Sequence, residues 1–505
     1  MRRALRIAAL LACLLPLAAA SGCGGGGSSD PLDTALAYLP KDAPFALAID
    51  TDLDGKQLSN LRAILDKFPF GNEVERSLRR ELEQGSAGVD FDTDVRPLLG
   101  NPFVVGATSV ASVTGVAGDD DFVGAMEASD EGKLDHLIEK TNPDKRGAVG
   151  GAKLYEDDGT VFAVKEDVVV FAGGEELLKS ALKRADGDDH LDEATFDNAL
   201  EGLPDDALAR VYADVGAIVA GSSDARGARK VKWVDALRTL GLTAAAKGDG
   251  LEVQFDLRTD SSELTEADLP IVAGAEAPPV VERPGEIGFG IRDPSQIVKF
   301  AETAEQSVDP AGFGQYVRVK KTFDKQLGVS IDHDLIGQLT GDLAASASVD
   351  GKFGMRAELE DPAAFGRTLA KLADVLPSAA EGAGAGSVTL AKPKGTRGFY
   401  ALVQPDGDAV VFGVANGAFV LATDRTRAAR LARAGPVKVP GARGSVVLSA
   451  AAQQLASRIL RKLAPELGLG GVLGGQLFTG PLGDLTGSIS ASTEGLKGKL
   501  SLEIE

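Results

Sequence analysis

VFAVKEDVVVFAGG at residues 161–174 and VFGVANGAFVLATD at residues 411–424 read alike: each is an apolar run, a short polar break and a second apolar run. In the later copy the break is Asn416-Gly417, the pair that supplies the positive φ angles of a tight type I′ hairpin turn. The two runs therefore pair as antiparallel strands. Working outward at an offset of about 240 residues, further segments recur in the same order, which is the sequence mark of an internal repeat. The strand and helix from Phe45 to Phe68 parallel Phe289 to Ala304, and VDFDTDVRPLLG at 89–100 parallels VSIDHDLIGQLTG at 329–341. FVGAMEASDEGKLDHLI from Phe122 parallels FGMRAELEDPAAFGRTL from Phe353, and VYADVGAIVAG from Val211 parallels VVLSAAAQQLA from Val446. Both halves finish on one kind of strand, GLEVQFDL from Gly250 and GLKGKLSLEI from Gly495.

The periodicities predict α+β, twice: two homologous domains, each a mainly antiparallel sheet with helices packed on one face. Leu251, Val253, Phe255 and Leu257 alternate with Glu252, Gln254, Asp256 and Arg258, as on a strand with one wet face. Leu58, Leu61, Leu65 and Phe68 recur at helical spacing, as do Val74, Leu78 and Leu82, and Phe365, Leu369, Leu372 and Leu376. Asp293-Pro294 and Asp361-Pro362 read as N-caps followed by proline at the first helical position. Proline, acidic and small residues at 259–286 predict a linker between a first domain at 31–258 and a second at 287–505, and residues 377–398 read as a low-complexity loop.

The amino terminus carries an address. Arg2, Arg3 and Arg6 precede an apolar run from Ile7 to Ala20 that is short for a bilayer span, the pattern of a signal peptide at 1–22. It ends in Ala20-Ser21-Gly22-Cys23, small residues before a cysteine as a lipoprotein signal peptidase requires. Cys23 is then the lipidation site, carrying acyl chains such as palmitate, and the glycines and serines of 24–30 are a tether reaching roughly 15 Å. The alternative is an ordinary secretory signal cut near Ala20 that leaves Cys23 as a free thiol. Since Cys13 leaves with the signal, no disulfide can form within one mature chain. The expected location is the cell membrane, lipid-anchored, on the extracytoplasmic side.

Removing residues 1–22 takes three arginines and moves the formal charge from -21 to -24, which repels nucleic acid and anionic headgroups. No nucleic-acid partner is expected. Neither Gly-x-Ser-x-Gly, nor a phosphate-binding loop, nor a Cys-His pairing occurs, so the chain reads as non-enzymatic, with no catalytic residues and no cofactor. His136, His190 and His333 lack metal-ligand spacing, and no metal site is expected. Asp50, Asp52, Asp54 and Gly55 match half a calcium loop, but Leu61 stands where a bidentate glutamate is needed, so they read as a solvated turn. Asp90, Asp92 and Asp94 read as the wet face of an entering strand. Ser180-Ala-Leu-Lys183 matches an acylase spacing by chance on an amphipathic helix.

Leu39-Pro40-Lys41-Asp42-Ala43 before a strand, its echo Leu203-Pro204-Asp205-Asp206-Ala207, and the Asp-rich segment ending in Leu98-Leu99-Gly100, together with the cysteine motif, resemble uncharacterised bacterial envelope lipoproteins of the DUF3352 type, a domain of unknown function. The resemblance covers most of the mature chain. It implies an address and a fold, and it brings no catalytic residues.

The two halves diverge before their final hairpins. The first has Arg226, Arg229, Lys230, Lys232 and Arg238 around Trp233; the second has an apolar, Gly-rich stretch, Leu467 to Leu482, that includes Leu473. One reading makes Arg226, Arg229, Lys230, Lys232, Trp233 and Leu473 contacts for a lipid or other apolar ligand. The other makes Trp233, Leu237 and Leu240 a helical core stripe with charges on its wet face. The expected function is therefore a membrane-anchored lipoprotein acting through protein contacts or structural support, its partner an unidentified envelope protein. The alternative is a carrier for an apolar ligand.

Overall fold

The computed structural model describes residues 30–69, 71, 76, 88–115, 121–157, 159–382, 387–393, 398–433, 435–463 and 479–505. Cys23 with its tether, Val74, Leu78, Leu82 and Leu473 lie outside the described residues. The chain divides into two compact units, one of Met1–Arg226, Leu237–Thr259 and Ile504–Glu505, the other of Gly227–Ala236 and Asp260–Glu503. The fold class is α+β.

The first unit holds β1 (Phe45–Ile49), β2 (Phe103–Ala107), β3 (Phe122–Glu127), β4 (Asp144–Val149), β5 (Ala152–Asp157), β6 (Thr160–Lys165), β7 (Val168–Ala172), β8 (Ala209–Asp214), β9 (Leu237–Lys247) and β10 (Gly250–Thr259). Their ladders are all antiparallel and run β4-β5-β6-β7-β3-β2-β1-β8-β9-β10. The continuous apolar run of β7 follows from burial on both faces. Val168, Val170 and Ala172 face a core with the helices Pro31–Leu36, Glu175–Ala185 and Glu193–Leu200. Val169 and Phe171 face a second cluster with Tyr155, Phe162 and Leu134 of the helix Glu131–Thr141. Helix cover thus extends to both faces of this part of the sheet. Leu154, Leu178 and Leu182, each at most 1 % exposed, contribute about 1.5–3 kcal/mol apiece by burial.

The second unit repeats the order with β11 (Ile287–Arg292), β12 (Asp342–Ala347), β13 (Phe353–Glu358), β14 (Thr389–Ala391), β15 (Phe399–Val403), β16 (Ala409–Ala415), β17 (Ala418–Ala422), β18 (Val446–Ala451), β19 (Leu482–Ser492) and β20 (Gly495–Ile504). Its sheet runs β14-β15-β16-β17-β13-β12-β11-β18-β19-β20. The β16–β17 hairpin turns at Asn416 (φ 48°) and Gly417 (φ 77°), as the sequence requires. A stacked ring pair recurs as well, Tyr155 on Phe162 at 5.3 Å in one unit and Tyr400 on Phe412 at 5.7 Å in the other. Val280, fully buried, packs with Val439 and Val447, so residues of the proline-rich segment enter this unit's core.

Several local expectations are corrected. Asp90, Asp92 and Asp94 do not enter a strand: Phe91–Val95 is a π-helical turn followed by a 3-10 turn, Arg96–Leu98. Asp90 accepts from the Thr93 amide at 2.9 Å while its own N–H donates to Asp94 at 2.7 Å, so local capping overrides the alternation. Ile331–Leu335 repeats the turn, with the Ser330 N–H donating to Asp334 at 2.9 Å. The expected wet face of β10 carries its deeply buried residue, Asp256, because that face meets the helix Glu193–Leu200: Arg258 donates to the Asn198 carbonyl and pairs with Asp256. Asp293 precedes Pro294 but adopts φ 39° and makes no cap bond, accepting instead from the Ser295 hydroxyl. Asp361 caps as expected, from the Ala364 amide at 2.8 Å. Within residues 377–398, Leu376–Gly382 is helical and Thr389–Ala391 is strand β14, so that stretch is not one long loop.

Candidate functional site

The basic cluster around Trp233 is built from short turns. Asp224–Arg226 and Ala228–Lys230 are 3-10 turns, and the helix Lys232–Asp235 has only four residues. Leu237 already begins β9, so the helical stripe of Trp233, Leu237 and Leu240 does not form. Arg226 falls in the first unit; Arg229, Lys230, Lys232 and Trp233 fall in the second. Arg229 is drawn to Asp235 at 3.5 Å, while Lys230 and Lys232 are exposed. Trp233 meets Phe300 of the helix Pro294–Val308 edge to face, ring centres 6.4 Å apart. Its indole Nε1 is buried without an acceptor among the described residues.

The carboxylates weighed as ligands serve the backbone. Asp50 accepts from the Asp52 amide at 2.9 Å, Asp52 from the Asp54 amide at 3.1 Å, and Asp54 pairs with Arg96 at 3.1 Å. A cavity of about 210 Å³ is bordered by Asp50, Asp205, Asp206 and Arg210. Burial pushes the Asp50 carboxyl above its ordinary range, whereas Asp206 is held below it by Lys56 and then Gln57. Among the described residues no group of three or more His, Cys, Asp or Glu side chains could hold a metal ion. His190 contacts the Gly187 carbonyl at 2.8 Å, and the Ser180 hydroxyl donates to the Glu176 carbonyl within its helix.

A cationic site not anticipated from the sequence lies in the second unit on the helix Arg425–Arg433. Asp424 caps it by accepting the Arg427 amide at 2.7 Å. Arg427, Ala428 and Leu431 are buried, and Arg425, Arg430 and Arg433 are exposed beside a recess of about 490 Å³ that Thr426 and Ala429 also line. Arg427 turns inward onto Glu286, which also receives Arg283 at 3.3 Å. Arg458 of the helix Ala452–Leu463 lies against Gly285. Burial, with the charges of Arg427 and Arg430 nearby, holds the Arg283 guanidinium below its ordinary value despite Glu286. β7 and β17 end at Ala172 and Ala422, which sets Glu175 against Arg425 and Leu177 against Arg427. The available signal was this exchange of acid and leucine for arginine between otherwise matching helices.

Residues 6–380, well over half of the chain, match the family described as "Protein of unknown function (DUF3352)". No curated protein sequence matches. Among solved structures, crystal form III of TP0453 is similar with a TM-score of 0.26 and 11% identity, over 47% of this chain and 83% of that one. Crystal form IV of TP0453 gives 0.25 and 10%, over 44% and 80%.

Proposed function

We propose, for a chain that belongs to the DUF3352 family of proteins of unknown function, the role of an extracytoplasmic, non-enzymatic lipoprotein, anchored through Cys23, that acts in the cell envelope through protein contacts. The matching strand orders of the two units support descent from one duplicated domain. No described helix is long and apolar enough to cross a membrane, so in this reading the acyl group on Cys23 supplies the attachment.

The observation that carries the contact role is β4. Among the described residues it ends the first unit's sheet, hydrogen-bonded along one side to β5, and it exposes Asp144 to Ala148. Lys145, Arg146 and a register shift before Gly147 blunt it against indiscriminate pairing. An extended acidic segment would add there as a further strand, main-chain bonds giving affinity and Lys145 selecting charge. Photo-cross-linking in cells from Asp144 and Ala148, with buried Ala163 as control, tests this. Adducts to another envelope protein from both β4 positions, lost on Cys23→Ala, are expected. Adducts from neither position would overturn the role of this edge.

One observation favours the carrier reading: the indole N–H of Trp233, buried beside Phe300 without an acceptor among the described residues, could donate to a ligand oxygen. Native mass spectrometry of the protein purified from its own envelope tests it, with a bound mass lost on Trp233→Ala as the supporting outcome.

A further inference from the structure

The helix Arg425–Arg433 presents three exposed guanidiniums, Arg425, Arg430 and Arg433, that have no carboxylate partner among the described residues, on a chain whose formal charge is -21. Repulsion among like charges is unfavourable unless something offsets it, and an acidic protein has carboxylates to spare for the purpose. Here they are withheld. Glu286 is spent on Arg427 and Arg283, and Asp424 caps the helix and approaches Arg427 at 3.7 Å. The three arginines spread over roughly 12 Å of helix axis beside a recess of about 490 Å³, the size of a small-ligand site. A carboxylate has only two oxygens: Glu286 fills both with the fork from Arg427 and shares one of them with Arg283. A phosphate group offers oxygens in several directions and takes forks from more than one arginine at once.

We infer that this recess binds a ligand carrying at least two phosphate groups, or one phosphodiester headgroup with further anionic oxygens, through Arg425, Arg430 and Arg433, with Arg427 and Glu286 fixing the helix beneath. The contrast with the first unit is the internal control. The matching helix Glu175–Ala185 starts with two glutamates, and Lys179 is paired to both of them, at 2.8 and 3.1 Å. The inference goes beyond the contact role and does not depend on acylation of Cys23.

The test is titration calorimetry of the full chain in neutral detergent with sodium pyrophosphate at low and moderate salt. Binding that weakens with salt is expected, with a loss of about tenfold or more for Arg430→Gln with Arg433→Gln, and none for Lys179→Gln with Lys183→Gln. Circular dichroism melts confirm that both variants fold. Displacement of pyrophosphate by phosphatidylglycerol in the same micelle, and not by phosphatidylcholine, would identify a lipid headgroup as the source; persistence of binding would identify a soluble phosphate ester. Absence of pyrophosphate binding, an equal loss in the control pair, or binding of polyglutamate in its place would overturn the assignment.

Discussion

Arg427 holds Glu286 by two parallel hydrogen bonds, Nη1 to Oε2 at 2.7 Å and Nη2 to Oε1 at 2.8 Å, with both side chains almost wholly buried. The pair ties the helix Arg425–Arg433 to the residue that leads into β11, and the Ser346 hydroxyl of β12 accepts from Arg427 at 3.2 Å. The first unit has Leu177 at the matching place, so the fold does not need an ion pair there. Removing one partner strands a buried charge, while replacing both by apolar residues is often neutral. Glu286→Gln should therefore cost about 3–5 kcal/mol, and Arg427→Leu with Glu286→Leu should recover most of it. The sole tryptophan, Trp233, lies in this unit, so urea unfolding followed by its fluorescence reads the effect. A loss in the double variant as large as in the single would show that the pair stabilises in its own right.

The capped turn at Asp94 predicts a pH dependence. The Asp90 amide and then Lys140, 2.5 Å away, hold the Asp94 carboxyl below its ordinary value of 3.8. A carboxyl depressed in the fold contributes stability above its unfolded value and loses it as pH falls through the folded one. Asp94→Asn should lower the melting temperature at neutral pH, and the gap to the unsubstituted protein should close as pH drops below 3.8. Melts across that range check it; a gap that widens on acidification would mean that the ionised form is not what caps the turn.

How far the sequence disclosed these features depends on the kind of order each one uses. The β16–β17 hairpin was legible because Asn416-Gly417 is a local signal between two apolar runs. That the two units share one strand order follows from segments that recur in sequence, while the order itself rests on pairings between strands far apart in the chain. The π-helical turns were not legible, since Asp90, Asp92 and Asp94 alternate as a strand would and the deciding bonds are side chain to backbone. Arg427 hid the arginine site: a charge at a core position breaks the apolar period of residues 425–433, and the Glu286 that accepts it lies far away in sequence. The Trp233 helix failed because tertiary pairing carries Leu237 and Leu240 into β9.

Alkaline titration should separate the tyrosines. Burial, then the negative field of Asp186, Glu166 and Asp167, pushes the Tyr38 phenol up to about 12, and burial with Asp214 does the same for Tyr212. A phenol raised in the fold contributes stability that is complete below its unfolded value of 10.0 and is lost as pH rises towards 12. Burial, then the Glu302 carboxylate to which its hydroxyl donates, raises Tyr316 as well, so tyrosinate absorbance should show three of the five tyrosines lagging, with unfolding accompanying the ionisation of Tyr38 and Tyr212. Ionisation of all five near pH 10.0 without loss of structure would contradict the burial of Tyr38 and Tyr212.

Trp233→Phe separates the two functional readings at one atom. A buried N–H without an acceptor costs about 1–3 kcal/mol relative to a paired one, and phenylalanine keeps an aromatic edge for Phe300 while removing that donor. If Trp233 serves packing alone, the variant should unfold at the same or a higher urea concentration, followed by circular dichroism because the tryptophan is gone. If the indole donates to a ligand retained from the envelope, protein purified from its own cells should instead lose both stability and bound mass on the same substitution. Adding an envelope extract should then stabilise the unsubstituted protein and leave Trp233→Phe unmoved, because a ligand stabilises only the form it binds.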